Sequence, residues 1–225
     1  MTNIITFELI RHTEVSNPNQ IWYGREIEFD VTSSEAVQRF NHLAGVLPCD
    51  PDSTLWLSSD YPRAVETAKA VLRSIPKEHV PEILLDRNFI EQQYGMMEGM
   101  VGRAAKEDPR FAQYFADMWK NAPPDGESME MVQSRVGARL DHLCETLSPS
   151  IHHVVVFAHG GVNMAAFAHA TGQRMIDVFQ SRKGSVVPSF SYVSRLGISY
   201  DRAQKKWLDA VEYETGIPKR QLVRD

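Results

Sequence analysis

Val154-Val155-Val156-Phe157-Ala158-His159-Gly160-Gly161 is the stretch that decides the fold. Its first five residues form a short, β-branched apolar run, the pattern of a buried strand. The glycine pair turns that strand into a helix carrying Met164, Phe167 and Ala168. A strand that leads through a glycine turn into a helix is half of a βαβ unit.

The rest of the chain has the same pattern. Ile4 to Ile10 is a second apolar run, expected as a buried strand. Ser33 or Ser34 is placed to cap a helix whose apolar positions are Ala36, Phe40, Leu43 and Leu47. Leu55-Trp56-Leu57 is a short strand, and Pro62 sits where a first-turn proline opens a helix with Val65, Ala68 and Leu72 on one face. Ile83-Leu84-Leu85 is a further strand. Between residues 88 and 126 Gly, Met and Pro are frequent, with one aromatic helix (Phe111, Tyr114, Phe115, Met118), which predicts a cap insertion within a single domain of 1–225. A long helix starts at Ser128, with Val132, Val136, Leu140, Leu143 and Leu147 as its stripe. Tyr192 to Tyr200 and Lys206 to Tyr213 read as a hairpin. The expected architecture is an α/β three-layer sandwich, α/β/α, with a mostly parallel sheet and a small cap.

Composition is that of an ordinary globular chain of 225 residues, 43% hydrophobic and 24% charged. With 24 basic and 29 acidic residues the net charge is −5, which argues against nucleic acid as partner. Cys49 and Cys144 are lone thiols, which fits a reducing compartment. The first ten residues lack a basic start and break at Glu8, unlike a signal peptide, and no apolar run reaches membrane-spanning length. The expectation is a cytoplasmic protein with no membrane partner.

In open α/β sheets, ligands bind beyond the carboxyl ends of the strands. Arg11 and His12 follow the first strand; Ser58-Ser59-Asp60 and then Arg63 follow the second. Glu91 comes shortly after the third, and His159 directly after the fourth. Two guanidiniums match phosphate oxygens in fork geometry and stay charged at any working pH. A neutral imidazole is a nitrogen nucleophile near pH 7. A second imidazole bonds equatorial oxygens and neutralises charge when protonated. Backbone N–H groups at the glycine turn add donors at a helix N-terminus. A carboxylic acid protonates the departing alkoxide.

Five ordered blocks carry a resemblance. Leu9-Ile10-Arg11-His12-Thr13-Glu14 resembles the opening signature of the histidine phosphatase superfamily, the phosphoglycerate mutase-like proteins. Residues 58–68 are similar to its S-S-x-x-x-R-A-x-x-T-A element. Phe89-Ile90-Glu91 with Gly95, Glu98 and Gly99 is similar to L-x-E-x-x-x-G-x-x-E-G. Gly126-Glu127-Ser128 resembles G-E-S, and residues 157–161 resemble V-S-H-G-G.

The resemblance implies His12 as the nucleophile that becomes phosphohistidine and Glu91 as proton donor. It implies Arg11, Arg63 and His159 as phosphate-binding residues, with Asn17 an approximate match to the family's asparagine. No metal and no other cofactor are implied. Gly160 stands where another branch takes its acid from an aspartate. Thr13 replaces the usual glycine, and Met97 stands where an aromatic residue is common.

His42, His79, His142, His152, His153 and His169 fall outside these blocks and read as structural or surface residues. The methionines 96, 97 and 100 read as cap packing, with pocket lining as the alternative. The tail basics Lys219, Arg220 and Arg224 read as a solvated end.

The leading expectation is a histidine acid phosphatase-like phosphomonoesterase, a metal-independent hydrolase whose partner is a small-molecule phosphate ester. Sugar phosphates, nucleotide-like phosphates and phosphoprotein side chains all suit it. One alternative is phosphoglycerate mutase-type transfer. Arg103, Lys106, Arg110 and Lys120 are the only basic residues between Met100 and Asp125, and the absence of paired arginines favours hydrolysis. The other is a non-catalytic phospho-ligand binding protein, against which the full residue set argues. A homodimer is compatible with the chain.

Overall fold

Ile4–Arg11 forms strand β1, followed by α1 (Ser34–Val46), β2 (Thr54–Ser58), α2 (Pro62–Leu72) and β3 (Ile83–Leu85). Then come α3 (Gly102–Glu107), α4 (Ala112–Ala116), α5 (Met129–Thr146), β4 (His153–Ala158), α6 (Gly160–Ala170), α7 (Met175–Gln180), β5 (Arg195–Asp201) and β6 (Lys206–Glu214). The computed structural model describes residues 3–76, 80–181 and 190–216. His79 and the basic tail lie outside them. Among the described residues, no helix is long and apolar enough to cross a membrane.

The six strands make one sheet in the order β3-β2-β4-β1-β5-β6. The first four are mutually parallel; β5 and β6 form the expected hairpin, in which β5 pairs antiparallel with β1 and β6 pairs antiparallel with β5 at the sheet edge. The hairpin strand begins at Arg195, so Tyr192 stands before the ladder rather than in it. β4, last of the parallel strands in the chain, inserts between β1 and β2. Alternate side chains therefore reach opposite faces. Phe7, Leu9, Val154 and Val156 pack under α5, α6 and α7, while Ile10, Trp56, Val155 and Phe157 pack under α1 and α2. The result is the three-layer sandwich.

Capping residues set the helix starts. The Ser33 hydroxyl accepts from Ala36 N and the Ser128 hydroxyl from Met131 N, each satisfying a first-turn amide. In α2 the buried face is Ala64, Ala68 and Val71 together with Arg63 and Thr67, so it is rotated from the Val65-Leu72 stripe expected. A polar pair needed inside displaces the apolar pattern by about one residue.

Between β3 and α5 the chain forms only short elements, three 3₁₀ turns and the helices α3 and α4. The aromatic helix is shorter than expected: α4 contains Tyr114 and Phe115, Phe111 ends the 3₁₀ turn over Pro109–Phe111 that leads into it, and Met118 lies beyond its end; Asp108 is extended before Pro109, which cannot continue α3. Met97, Ala105, Phe111 and Tyr114 bury one another as a small cluster of their own.

Candidate active site

The parallel ladder brings the strand ends together. His12 N donates to the Ala158 carbonyl at 2.9 Å, and Ser59 N to the Phe157 carbonyl at 2.9 Å. These bonds continue the β1–β4 and β2–β4 pairing one residue further. His12 and His159 consequently face each other with ring centroids 5.1 Å apart.

His12 is held as one tautomer. Its Nδ1 lies 2.6 Å from the Thr13 carbonyl oxygen. A carbonyl only accepts, so Nδ1 carries the hydrogen and Nε2 the lone pair. Thr13 N donates to Thr67 Oγ1 at 2.9 Å, and that hydroxyl donates to the Arg63 carbonyl at 2.7 Å. The Thr13 hydroxyl donates to the Asp30 carbonyl. The amide tie to α2 is one that any residue here would make; the threonine hydroxyl adds the tie to the loop that carries Asp30, which lines the cleft.

Arg63 is fully buried on the first turn of α2. Its Nη1 donates to the carbonyls of Gly24 at 2.8 Å and Arg25 at 3.0 Å. Arg11 donates from Nη1 to the Phe190 carbonyl at 2.5 Å and stacks 4.2 Å above the Tyr192 ring. Burial pushes the Tyr192 phenol up to about 12, so it stays neutral under the guanidinium. Val193 N returns a bond to the Arg11 carbonyl at 3.1 Å, with Val193 in the left-handed region at φ 54°. That conformation is strained for a β-branched residue.

Four nitrogen positions in this group, Arg11 Nε, Arg63 Nε, Arg63 Nη2 and His159 Nδ1, are buried without a protein hydrogen-bond partner. Leaving a buried donor unsatisfied costs roughly 1–3 kcal/mol. Placing several around one imidazole makes sense for a site that receives an anion.

The His159 imidazole is fully buried, and its Nε2 lies 2.8 Å from Ser59 Oγ; that oxygen accepts from Tyr61 N. Burial, followed by the charges of Arg63, His12 and Arg11, holds its pKa well below the ordinary 6.5. The free protein therefore favours the neutral ring over the protonated form expected from sequence. The consequence for stability has a definite sign. Below pH 6.5 the unfolded chain binds a proton at His159 that the folded chain refuses, so stability falls on acidification by up to about 1.4 kcal/mol per pH unit. Urea midpoints between pH 7 and 5 are expected to fall less in His159→Gln than in the native chain; equal slopes would contradict the buried neutral ring.

Glu91 reaches the glycine turn. Gly161 N donates to its Oε2 at 3.2 Å, and Gln92 N to its Oε1 at 3.0 Å. The glycine pair is a matter of space: a Cβ on Gly161 would lie 2.3 Å from Glu91 Oε1, and one on Gly160 3.3 Å from Arg11 Cζ. The Gly161 amide, expected as a phosphate donor, serves the carboxylate instead.

The other candidates lie further out. Asn17 lines the cleft, but its Oδ1 accepts from Ile21 N at 2.9 Å and its Nδ2 donates to the Ile21 carbonyl at 3.0 Å, closing its own loop. Glu98 is exposed, accepts from Tyr94 N at 3.2 Å and packs against Gly24. Met97 is buried in the cap cluster; the methionines on the cleft are Met129, Met164 and Met175, from α5, α6 and α7. The cleft measures about 1260 Å³ and opens over Arg11, Glu91, Gly160 and Gly161, with Trp22, Tyr23 and Tyr94 on the facing wall.

Known proteins are similar to this chain. A zebrafish (Danio rerio) protein described as a probable fructose-2,6-bisphosphatase TIGAR A is 28% identical over 137 residues, 57% of this chain. The match spans 49%, about half, of that relative's length. The α-ribazole phosphatase of Shigella flexneri superposes with a TM-score of 0.70 at 19% identity, covering 96% of this chain and 100% of the other. A mycobacterial glucosyl-3-phosphoglycerate phosphatase gives 0.67 at 21% identity, covering 91% and 96%. At such identities these two structures speak for the fold alone. The family model of the histidine phosphatase superfamily (branch 1) matches residues 7–187, most of the chain, and the protein belongs to that superfamily.

Proposed function

We propose that the protein is a phosphatase that hydrolyses a small-molecule phosphate monoester through a phosphohistidine on His12. The observation that carries this reading is the group of four buried, unpartnered nitrogen positions on Arg11, Arg63 and His159 around a histidine whose Nε2 holds the lone pair. Nε2 attacks phosphorus, and the bond from phosphorus to the ester oxygen breaks. Arg11 and Arg63 hold the equatorial oxygens, charge that they can neutralise without reorganising because both are already fixed. His159 takes up positive character as the dianion arrives. Glu91, in its acid form, gives its proton to the leaving alkoxide. Its carboxylate then takes a proton from water, which attacks phosphorus and releases Nε2 and inorganic phosphate.

The alcohol part of the substrate sits in the cleft between Met129, Met164 and Met175 and the rings of Trp22 and Tyr94, surfaces that suit an apolar or aromatic group. Release of inorganic phosphate, rather than transfer to a second hydroxyl, separates this reading from mutase chemistry.

Arginine and histidine supply the charge that other phosphatases draw from metal ions. Hydrolysis of p-nitrophenyl phosphate is expected to continue undiminished in excess EDTA. A loss that added Mg²⁺ or Zn²⁺ restores would overturn the mechanism, and absence of any hydrolysis would favour a phosphate-binding protein.

A further inference from the structure

We propose that Arg135, acting through its ion pair with Glu127, positions the Glu91 carboxyl for proton transfer; this rests on Glu91 being the proton donor. Glu91 lies in a segment that no strand ladder supports. After β3, residues 86–93 contain a single 3₁₀ turn over Arg87–Phe89. Their support comes from α5, behind the cleft.

Arg135 forms a complete fork on Glu127, Nε to Oε1 at 2.9 Å and Nη2 to Oε2 at 2.8 Å. Its Nη1 donates to the carbonyls of Asn88 at 2.7 Å and Ile90 at 3.2 Å, the latter directly before Glu91. Glu127 holds the other side. Its Oε2 accepts from Gln93 N at 3.1 Å, its own N donates to the Gln93 carbonyl at 2.8 Å, and its carbonyl accepts from Gln92 Nε2 at 2.7 Å. The backbone is thus gripped on both flanks of Glu91. The two side chains are only 18% and 11% exposed, so solvent screens the pair weakly.

Only arginine serves all four acceptors at once, because its planar fork presents donors in two directions. Without it, Glu127 is left buried without its ion-pair partner, two carbonyls lose their donor, and the carboxylate on Gly161 N loses its fixed approach. A misplacement of about 1 Å is enough to cost on the order of 10²-fold in rate. One turn further along α5, Arg139 Nε donates to Asp86 Oδ2 at 2.6 Å. That pair secures the start of the same segment, five residues from Glu91, and serves as the control.

The readout is the dependence on leaving group, which a merely structural role does not move. Benzyl phosphate expels a strongly basic alkoxide and needs the acid; p-nitrophenyl phosphate does not. Arg135→Ala is expected to lower kcat/KM for benzyl phosphate about 10–100-fold and for p-nitrophenyl phosphate less than about threefold. Arg139→Ala should lower both in parallel. Combined with Glu91→Gln, Arg135→Ala should add little on benzyl phosphate, since both act on one proton transfer. If Arg135→Ala does not fold, Arg135→Lys keeps the charge but not the two carbonyl bonds, and the same selective loss is expected. Parallel loss on both esters in a folded Arg135 variant, while Glu91→Gln discriminates between them, overturns the positioning role alone. If Glu91→Gln fails to discriminate, the assignment of the acid falls and this proposal with it.

Discussion

His12→Ala is expected to yield no phosphoenzyme and a kcat lower by about 10⁴-fold or more, the scale on which removal of a covalent nucleophile acts. The native protein, quenched rapidly with labelled substrate, should show an adduct that is labile in acid and stable in base, as a phosphoramidate is. The Nδ1 hydrogen bond to the Thr13 carbonyl makes the prediction sharp, because it commits Nε2 to the attack. His159→Ala removes a buried ring that, on the proposed mechanism, bonds phosphate oxygen and not phosphorus, so slow residual labelling should remain. An acid-stable adduct would point to a serine or threonine ester and count against His12.

Glu91→Gln is expected to slow benzyl phosphate by about 10²–10⁴-fold and p-nitrophenyl phosphate far less. Glutamine keeps the size of the side chain and an oxygen for Gly161 N, and removes only the titrating proton. A basic alkoxide leaves badly without that proton, while p-nitrophenolate is a weak base. Glu98→Gln should not distinguish the two esters, since Glu98 is exposed and tied to Tyr94 N. kcat/KM for both variants on both esters decides the matter. If the leaving-group effect appears with Glu98→Gln instead, the acid is misassigned even where the phosphohistidine stands.

Much of this molecule was legible along the chain. The apolar runs starting at Ile4, Leu55, Ile83 and Val154, the serine cap of α1, the start of the long helix at Ser128, Pro62 at the start of α2 and the glycine turn after His159 are all local devices. Each depends on neighbours within about four residues, and such patterns survive in one dimension. Placing Arg11, His12, Arg63, Glu91 and His159 after strand ends was enough to mark one edge of the sheet, since parallel strands share a carboxyl end.

What linear order does not carry is which residues meet across that edge. Periodicity records that a position is buried, not against what. It placed the inner face of α2 on Val65, Ala68 and Leu72; Ala68 is inside, but Arg63 and Thr67 turn inward as well, where Thr67 accepts from Thr13 N, 54 residues away. Glu127 read as part of a motif without a task until Arg135, eight residues on along α5, was seen to close a fork on it beside Gln93. The cleft methionines come from three helices, and the nearer triplet in the cap is absent from its lining. The sequence by itself determined the layers, the strand ends and the kinds of chemical group that stand there. The tertiary structure decided the burial of His159 beside Arg63, His12 and Arg11 and the hold of Gly161 N on Glu91, because each of these depends on β4 entering between β1 and β2 and so on contacts between residues distant in the chain.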